Sequence, residues 1–160
     1  MAATSQIGVA PLRLNLGCSD SHMSGWVNVD LHEPADQIVD LSKEWPWETS
    51  SVQSIKAWDV VEHLADKIHT MNECYRVLQP GGTVDLFVPT TDGRGAFQDP
   101  THRSFWTPND LFYFCDQYVE WQRFRKAYGI TAHFTHGGVD HTLYPCQVWK
   151  MRVLLRAVKP

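Results

Sequence analysis

The chain of 160 residues predicts an α/β fold organised around a largely parallel sheet. Three observations carry that prediction. Apolar strand-like stretches alternate with helical ones along most of the chain. A strand-like Leu12–Leu16 runs into a glycine-centred turn at Gly17, and a second strand follows that ends on a lone acid, Asp30. The last segment, from Val148 to Val158, alternates apolar and basic residues in the way of a half-buried antiparallel strand.

Taken in order, strands are expected at 12–16, 26–30, 37–40, 54–59 and 83–88. The segment Leu64 to Leu78 reads as the clearest helix, since Leu64, Ile68, Met71, Tyr75 and Leu78 recur at three- and four-residue spacing and form one apolar stripe. Pro80, Gly81 and Gly82 stop it and turn the chain into the next strand. In the final strand Trp149, Met151, Val153, Leu155 and Ala157 lie on one side and Lys150, Arg152 and Arg156 on the other. Tyr118 to Lys126 is its expected hairpin partner. Only nine residues separate Gly17 from Val27, and Leu31 to Asp36 is also too short for a full helix. One sheet face is therefore expected to lack helices, and to be covered by the aromatic-rich segment 105–121 or by a second subunit, a possible homodimer.

The length suits one domain spanning 1–160 with a single substantial core. A hydrophobic content of 43% with 20% charged residues is that of an ordinary globular protein. No apolar run approaches a membrane span, and Met1 to Ile7 lacks the pattern of a secretion signal. Cys18, Cys74, Cys115 and Cys146 are dispersed, and all four read as reduced, buried small hydrophobes of a cytoplasmic protein. The net charge of −4 conceals an asymmetry: residues 1–100 hold 6 basic and 14 acidic side chains, residues 101–160 hold 8 and 4. The basic clusters, Arg123 to Lys126 and Lys150 to Lys159, read as the solvated face of a strand pair, too weak a stripe for nucleic acid.

Gly17 and Asp30 describe a nucleoside-binding crevice at the carboxyl ends of parallel strands. Glycine admits close approach of a backbone, and a strand-end carboxylate accepts hydrogen bonds from two ribose hydroxyls. A pyrophosphate turn would read G-x-G-x-x-G with its acid roughly 20 residues further on. Here a single glycine stands among small residues and Asp30 follows after thirteen positions, so a ribose without pyrophosphate is expected.

Four segments carry a resemblance to a known family: Asn15 to Ser21 (N-L-G-C-S-D-S), Asp40-Leu41, Asp59 to Leu64 (D-V-V-E-H-L), and Glu73 to Gly82 (E-C-Y-R-V-L-Q-P-G-G). In this order and spacing the chain resembles class I S-adenosylmethionine (SAM)-dependent methyltransferases of the small type-11-like group. The resemblance implies a Rossmann-like methyltransferase fold with a C-terminal antiparallel hairpin, and SAM as cofactor with S-adenosylhomocysteine as product. It places Asn15, Gly17, Cys18 and Ser19 at the methionine part of the donor, Asp30 and Leu31 at the ribose, and Asp40 and Leu41 at the adenine. Trp58, Asp59 and Val60 end the fourth strand, whose backbone would face the methionine ammonium, with His63 close to the methyl group. Asn15 stands where the family often has an acid. Glu62 also begins the segment after the fourth strand, where the helix dipole alone favours an acid.

The stretch Gln98 to Pro108 resembles the family's D-P-x-H-x-x-x-(F/W)-T-P loop, at the end where substrates enter. His102 is the expected base, Arg103 and Trp106 the expected substrate contacts, and His63 the second catalytic candidate; the other reading has His102 bracing the turn before Thr107-Pro108. His133, His136, Asp140 and His141 lie in the long connection from Tyr128 to Pro145, without a recognisable ligand motif. That connection reads as a substrate lid, and no metal is expected. Methyl transfer from an activated donor needs positioning rather than a catalytic triad. The expected function is methyl transfer to a small-molecule acceptor; the chain lacks the proline-proline-aromatic signature of nucleic-acid amino-methylases. The competing reading is a non-catalytic SAM- or nucleoside-binding module, and measured turnover separates the two.

Overall fold

The computed structural model describes residues 11–160. Eight strands, β1 (Leu12–Leu16), β2 (Val27–Asp30), β3 (Gln37–Ile38), β4 (Val52–Trp58), β5 (Leu78–Pro89), β6 (Phe134–Thr135), β7 (Asp140–Tyr144) and β8 (Val148–Ala157), make one mixed sheet. Its order is β3-β2-β1-β4-β5-β8-β6, with β7 also on the outer edge of β8. Strands β1 to β5 run parallel, and β8 inserts antiparallel beside β5.

The helix α1 (Lys67–Val77) crosses from β4 to β5. It is shorter than the expected 64–78, for a local reason. Asp66 caps it, accepting from the His69 backbone N–H at 2.9 Å, while Val61–His63 forms a separate 3-10 turn. At the far end Leu78 is already extended and opens β5, so Pro80-Gly81-Gly82 lie inside an irregular strand rather than before it. The buried carboxylate of Glu73 on α1 accepts from the Trp45 N–H and two Arg76 nitrogens, each at 2.7 Å. Those bonds tie the helix to the loop before β4. Burial raises the Glu73 pKa, but the Arg76 and Trp45 hydrogen bonds and the Arg76 charge outweigh it and hold it below the ordinary range.

Alternation puts Leu14, Leu16, Ile55, Ala57, Val84, Leu86, Met151, Val153 and Leu155 on one face, all at most 2% exposed. They share a core with Met71, Cys74 and Val77 of α1. Trp106, Leu111 and Phe114 belong to the same core, so the segment 105–121 packs on the helix side and does not cover the opposite face.

Among the described residues that opposite face carries no helix, because 18–26 and 31–36 are turns. It is finished by its own cations instead. Lys56 Nζ and the Arg152 guanidinium each lie 4.7 Å from the Trp58 ring centroid, and Lys150 Nζ lies 4.6 Å from that of Phe87. Arg152 is also bidentate on Asp85, at 3.0 and 2.7 Å. The basic end of the chain is thus the solvated face of a strand pair.

Four expectations fail. The hairpin partner of β8 is β7, paired from Tyr144↔Val148 to Asp140↔Arg152, whereas Tyr118 to Lys126 is helical. Arg125 from that basic cluster is buried and bonded to the Tyr113 carbonyl, Asp116 and His133. The connection from Tyr128 to Pro145 supplies β6 and β7 to the sheet edge rather than a lid, since its backbone finds partners on β8. Cys18, Cys74 and Cys115 are buried, but Cys146 sits exposed in a turn at φ 63°.

Candidate functional site

The parallel strands end together at one rim of the sheet, where Gly17 follows β1, Asp30 closes β2 and Asp59 follows β4. A cavity of about 420 Å³ opens there. Gly17, Ser19, Asp30, Leu31, Asp40, Leu41, Asp59, Val60 and His63 of the expected residues line it, joined by Val39, Ser42 and Leu64.

Asp30 is set by two backbone amides: Ser19 N–H donates to Oδ2 at 2.9 Å and Leu31 N–H to Oδ1 at 2.7 Å. Each oxygen keeps a lone pair, which suits a diol. Asp40 Oδ1 accepts from the Ser42 hydroxyl at 2.6 Å and its N–H at 3.0 Å, and these bonds hold its pKa below the ordinary range. Gly17 has φ 61°, and a Cβ there would lie 2.7 Å from Val60 Cβ and Cγ2. Its glycine is demanded by the turn and by Val60, in addition to any ligand.

Three donor-side residues lie away from the cavity lining. Asn15 is fully buried with its amide spent inside the protein: Nδ2 donates to Ser21 O at 2.8 Å and Asn28 Oδ1 at 2.9 Å, and Lys56 Nζ donates to Oδ1 at 3.1 Å. It ties the loop after β1 to β2 and leaves no group for a ligand. Cys18 is buried, its N–H donating to Val29 O at 3.1 Å. Trp58 lies on the open sheet face among Lys56, Phe87 and Arg152. The pleat puts it on the side opposite the core.

A second cavity, of about 180 Å³, adjoins the first and shares Asp59 and His63 with it; Glu62, Gln98, Asp99, His102 and Lys150 are among its other walls. His102 arrives there because its own segment is zipped to the 3-10 turn, with Arg103 and Ser104 N–H both donating to Glu62 O at 2.7 and 2.9 Å. Lys150 Nζ holds both oxygens of Asp59, at 2.7 and 2.6 Å.

The histidines are oriented by their Nδ1 atoms. His102 Nδ1 lies 2.9 Å from Ala96 O, a carbonyl that only accepts, so Nδ1 carries the proton. The Thr101 hydroxyl donates to Asp99 Oδ1 at 2.6 Å and therefore accepts from His63 Nδ1, 3.0 Å away. Both Nε2 atoms are left with a lone pair. Beside them stands Glu62, 2% exposed, whose Oε2 has no hydrogen-bond partner among the described residues. Burial pushes its pKa up to about 8, with the Asp59 charge adding to the rise and Lys150 opposing it. Glu62 is the functional candidate that sequence reasoning passed over: it reads as a solvated acid beside a helix dipole, and only the packing of 102–104 over it makes it buried.

The two expected substrate contacts are corrected. Trp106 is wholly buried, its indole N–H donating to Ser104 Oγ at 3.0 Å, and it braces the core. Arg103 is exposed and outside the lining of both cavities, because its backbone is held on Glu62 and its side chain turns away. The turn at Thr107 does form, Thr107 N–H donating to Asp110 Oδ2 at 2.7 Å, but His102 is no part of it. His133, His136 and His141 bond to Asp116, Tyr118 and Thr90 respectively, and they make no common cluster among the described residues. No helix among those residues is long and apolar enough to cross a membrane.

Residues 15–85 match the family described as a methyltransferase domain. A search of curated proteins by sequence finds no match. Among solved structures, a SAM-dependent methyltransferase from Archaeoglobus fulgidus is similar at a TM-score of 0.59 and 11% identity, over 92% of this chain and 86% of that one. An S-adenosylmethionine-dependent methyltransferase from Listeria monocytogenes gives 0.61 and 11%, over 94% and 92%. The Burkholderia thailandensis 1,6-didemethyltoxoflavin-N1-methyltransferase, solved with bound 1,6-didemethyltoxoflavin and S-adenosylhomocysteine, gives 0.60 and 12%, over 92% and 71%. At such identities the likeness is one of fold.

Proposed function

We propose that the chain, whose residues 15–85 match the methyltransferase-domain family, is a SAM-dependent methyltransferase acting on a small-molecule acceptor. The larger cavity suits the donor: its volume of about 420 Å³ falls in the range of small-ligand sites, Leu31, Val39 and Leu41 give apolar walls for a planar base, and Asp30 offers two preset acceptors for the ribose. When bound, SAM supplies a methyl group on a positively charged sulfur, an electrophile that needs no further activation.

The observation that carries the reading is that His63 and Asp59 wall both cavities. A group held in the second cavity lies beside one held in the first, which is the arrangement that group transfer requires. At about 180 Å³ the second cavity admits one polar group of an acceptor. The Nε2 lone pairs of His63 and His102 serve that group, taking or orienting its proton. Asp30 and Asp40 hold the donor; His63, His102 and Glu62 face the acceptor.

The test is calorimetry with S-adenosylhomocysteine, followed by a product-release assay with SAM against pooled metabolites and nucleic acids. Binding with turnover on a small molecule supports the reading. Binding without turnover on any pool returns the chain to a non-catalytic module, and no binding removes the proposal.

A further inference from the structure

We propose that Glu62, His63 and His102 form a binding site for a divalent transition ion or zinc, and that this ion holds an oxygen of the acceptor. The proposal rests on the methyltransferase reading for the acceptor and on geometry for the ion. One ligand atom from each of the three residues lies within 4.8 Å of those of the other two. Two imidazoles and a carboxylate are the donor set that suits zinc and the first-row divalent ions. Three protein ligands leave coordination positions open, which distinguishes a catalytic site from a closed structural one.

Independent observations point to a ligand in this place. Glu62 is 2% exposed, and its Oε2 is buried without a partner. A buried orphan oxygen is costly, and a cation beside it removes the cost. The imidazoles are also held in the form a metal requires. His102 Nδ1–H donates to Ala96 O, and His63 Nδ1–H donates to Thr101 Oγ1, whose own proton goes to Asp99. Each ring thus presents a bare Nε2, with its other nitrogen braced by a carbonyl or by a hydroxyl–carboxylate relay, as metal-bound histidines are. Lys150 brings a positive charge to the same cavity, but Asp59 holds its ammonium on both oxygens and neutralises it.

The consequence is a chemical class for the acceptor. An ion at this place, beside the donor cavity, coordinates an oxygen and lowers the pKa of a hydroxyl bound to it. With both Nε2 atoms on the ion they do not take the acceptor's proton, as they do in the ion-free reading; the hydroxyl proton leaves to water. The bare oxygen then takes the methyl group as the donor's carbon–sulfur bond breaks and a carbon–oxygen bond forms, leaving the thioether product and a methyl ether. The acceptor is therefore a hydroxyl compound.

The experiment is titration of the chelator-treated full chain with Co²⁺, read by ligand-field absorption, and with Zn²⁺ by calorimetry. One ion per chain is expected. Glu62→Gln and His102→Gln should each weaken it by roughly 100-fold or more, and Thr101→Val by roughly 10- to 100-fold through loss of the brace on His63. S-adenosylhomocysteine affinity and melting temperature, measured on each variant, show that it is folded. Asp30→Asn should leave the Co²⁺ titration unchanged. Absence of uptake, or equal uptake by the Glu62→Gln/His102→Gln double variant, overturns the ion site. If wild-type protein binds S-adenosylhomocysteine but no ion, the methyltransferase reading stands and only the ion site falls. If it binds ion but no S-adenosylhomocysteine, the reading of the donor cavity falls instead.

Discussion

His63 and His102 meet edge to face, their ring centroids 4.9 Å apart and their planes at 79°. Nothing in the spacing of the two along the chain demands it. The contact is made by the Glu62 carbonyl, which accepts from both Arg103 and Ser104 and so brings the loop after β5 onto the turn after β4. The same carbonyl belongs to the residue whose carboxyl is buried beside the rings. Backbone and side chain of Glu62 therefore both help to assemble the second cavity.

Replacing Asp30 tests the donor side. Asp30→Ala should lower S-adenosylhomocysteine affinity by roughly 10- to 100-fold for each lost hydrogen bond, at about 1.5–3 kcal/mol apiece. Asp30→Asn should fall between Ala and wild type, since one acceptor oxygen remains. Calorimetry measures both, and unchanged affinity in the Ala variant would remove Asp30 from the ribose.

His102 should affect turnover without affecting the donor. It lines only the second cavity, so His102→Ala should leave S-adenosylhomocysteine affinity within about twofold while methyl transfer falls by roughly 10²–10⁴-fold. A parallel loss of donor binding would mean that His102 merely supports the fold of the rim.

Gly17→Ala should destabilise the protein through two separable causes. The left-handed φ of 61° costs about 1 kcal/mol or more for any Cβ, and the 2.7 Å approach to Val60 adds a clash. Adding Val60→Ala removes the Cγ2 contact but leaves Cβ at 2.7 Å, so it should recover only part of the clash and none of the backbone strain. Thermal melts of the single and double variants measure that part, and no recovery would place the cost in φ and the Cβ contact.

Glu73 links stability to acid pH. Its folded-state pKa is lowered, so its contribution is complete above the unfolded carboxyl value near 4.3 and is lost as pH falls through the folded value. Glu73→Gln should cost about 1.5–3 kcal/mol near neutral pH, through loss of the charged bonds to Arg76, and progressively less as the solution is acidified. Denaturant unfolding at several pH values follows the convergence; a constant difference would deny the carboxylate its role.

Much of this protein is determined by its sequence alone. The alternation in Val148 to Val158, the helix-period stripe ahead of Pro80 and the short links around Gly17 and Asp30 establish a mixed sheet with few helices on one face, because side-chain period and loop length are local properties. The strand-end glycine and acid mark the larger cavity for the same reason: each needs only its own strand to reach the rim. Tertiary structure alone decided the rest. Asn15, Trp58 and Trp106 have side chains that suit a ligand, yet the pleat and the packing spend them on Asn28, on Lys56 and Arg152, and on the core. The partner of β8 was decided by which edge segment could satisfy its backbone, a question of long-range register. Glu62 is the clearest case. Its place in sequence accounts for an acid by the helix dipole alone, and it becomes a buried carboxyl with an unpartnered Oε2 beside two histidines where a distant segment bonds to its own carbonyl. Burial and the meeting of distant side chains depend on the whole sheet, and the chemistry of the acceptor side arises there.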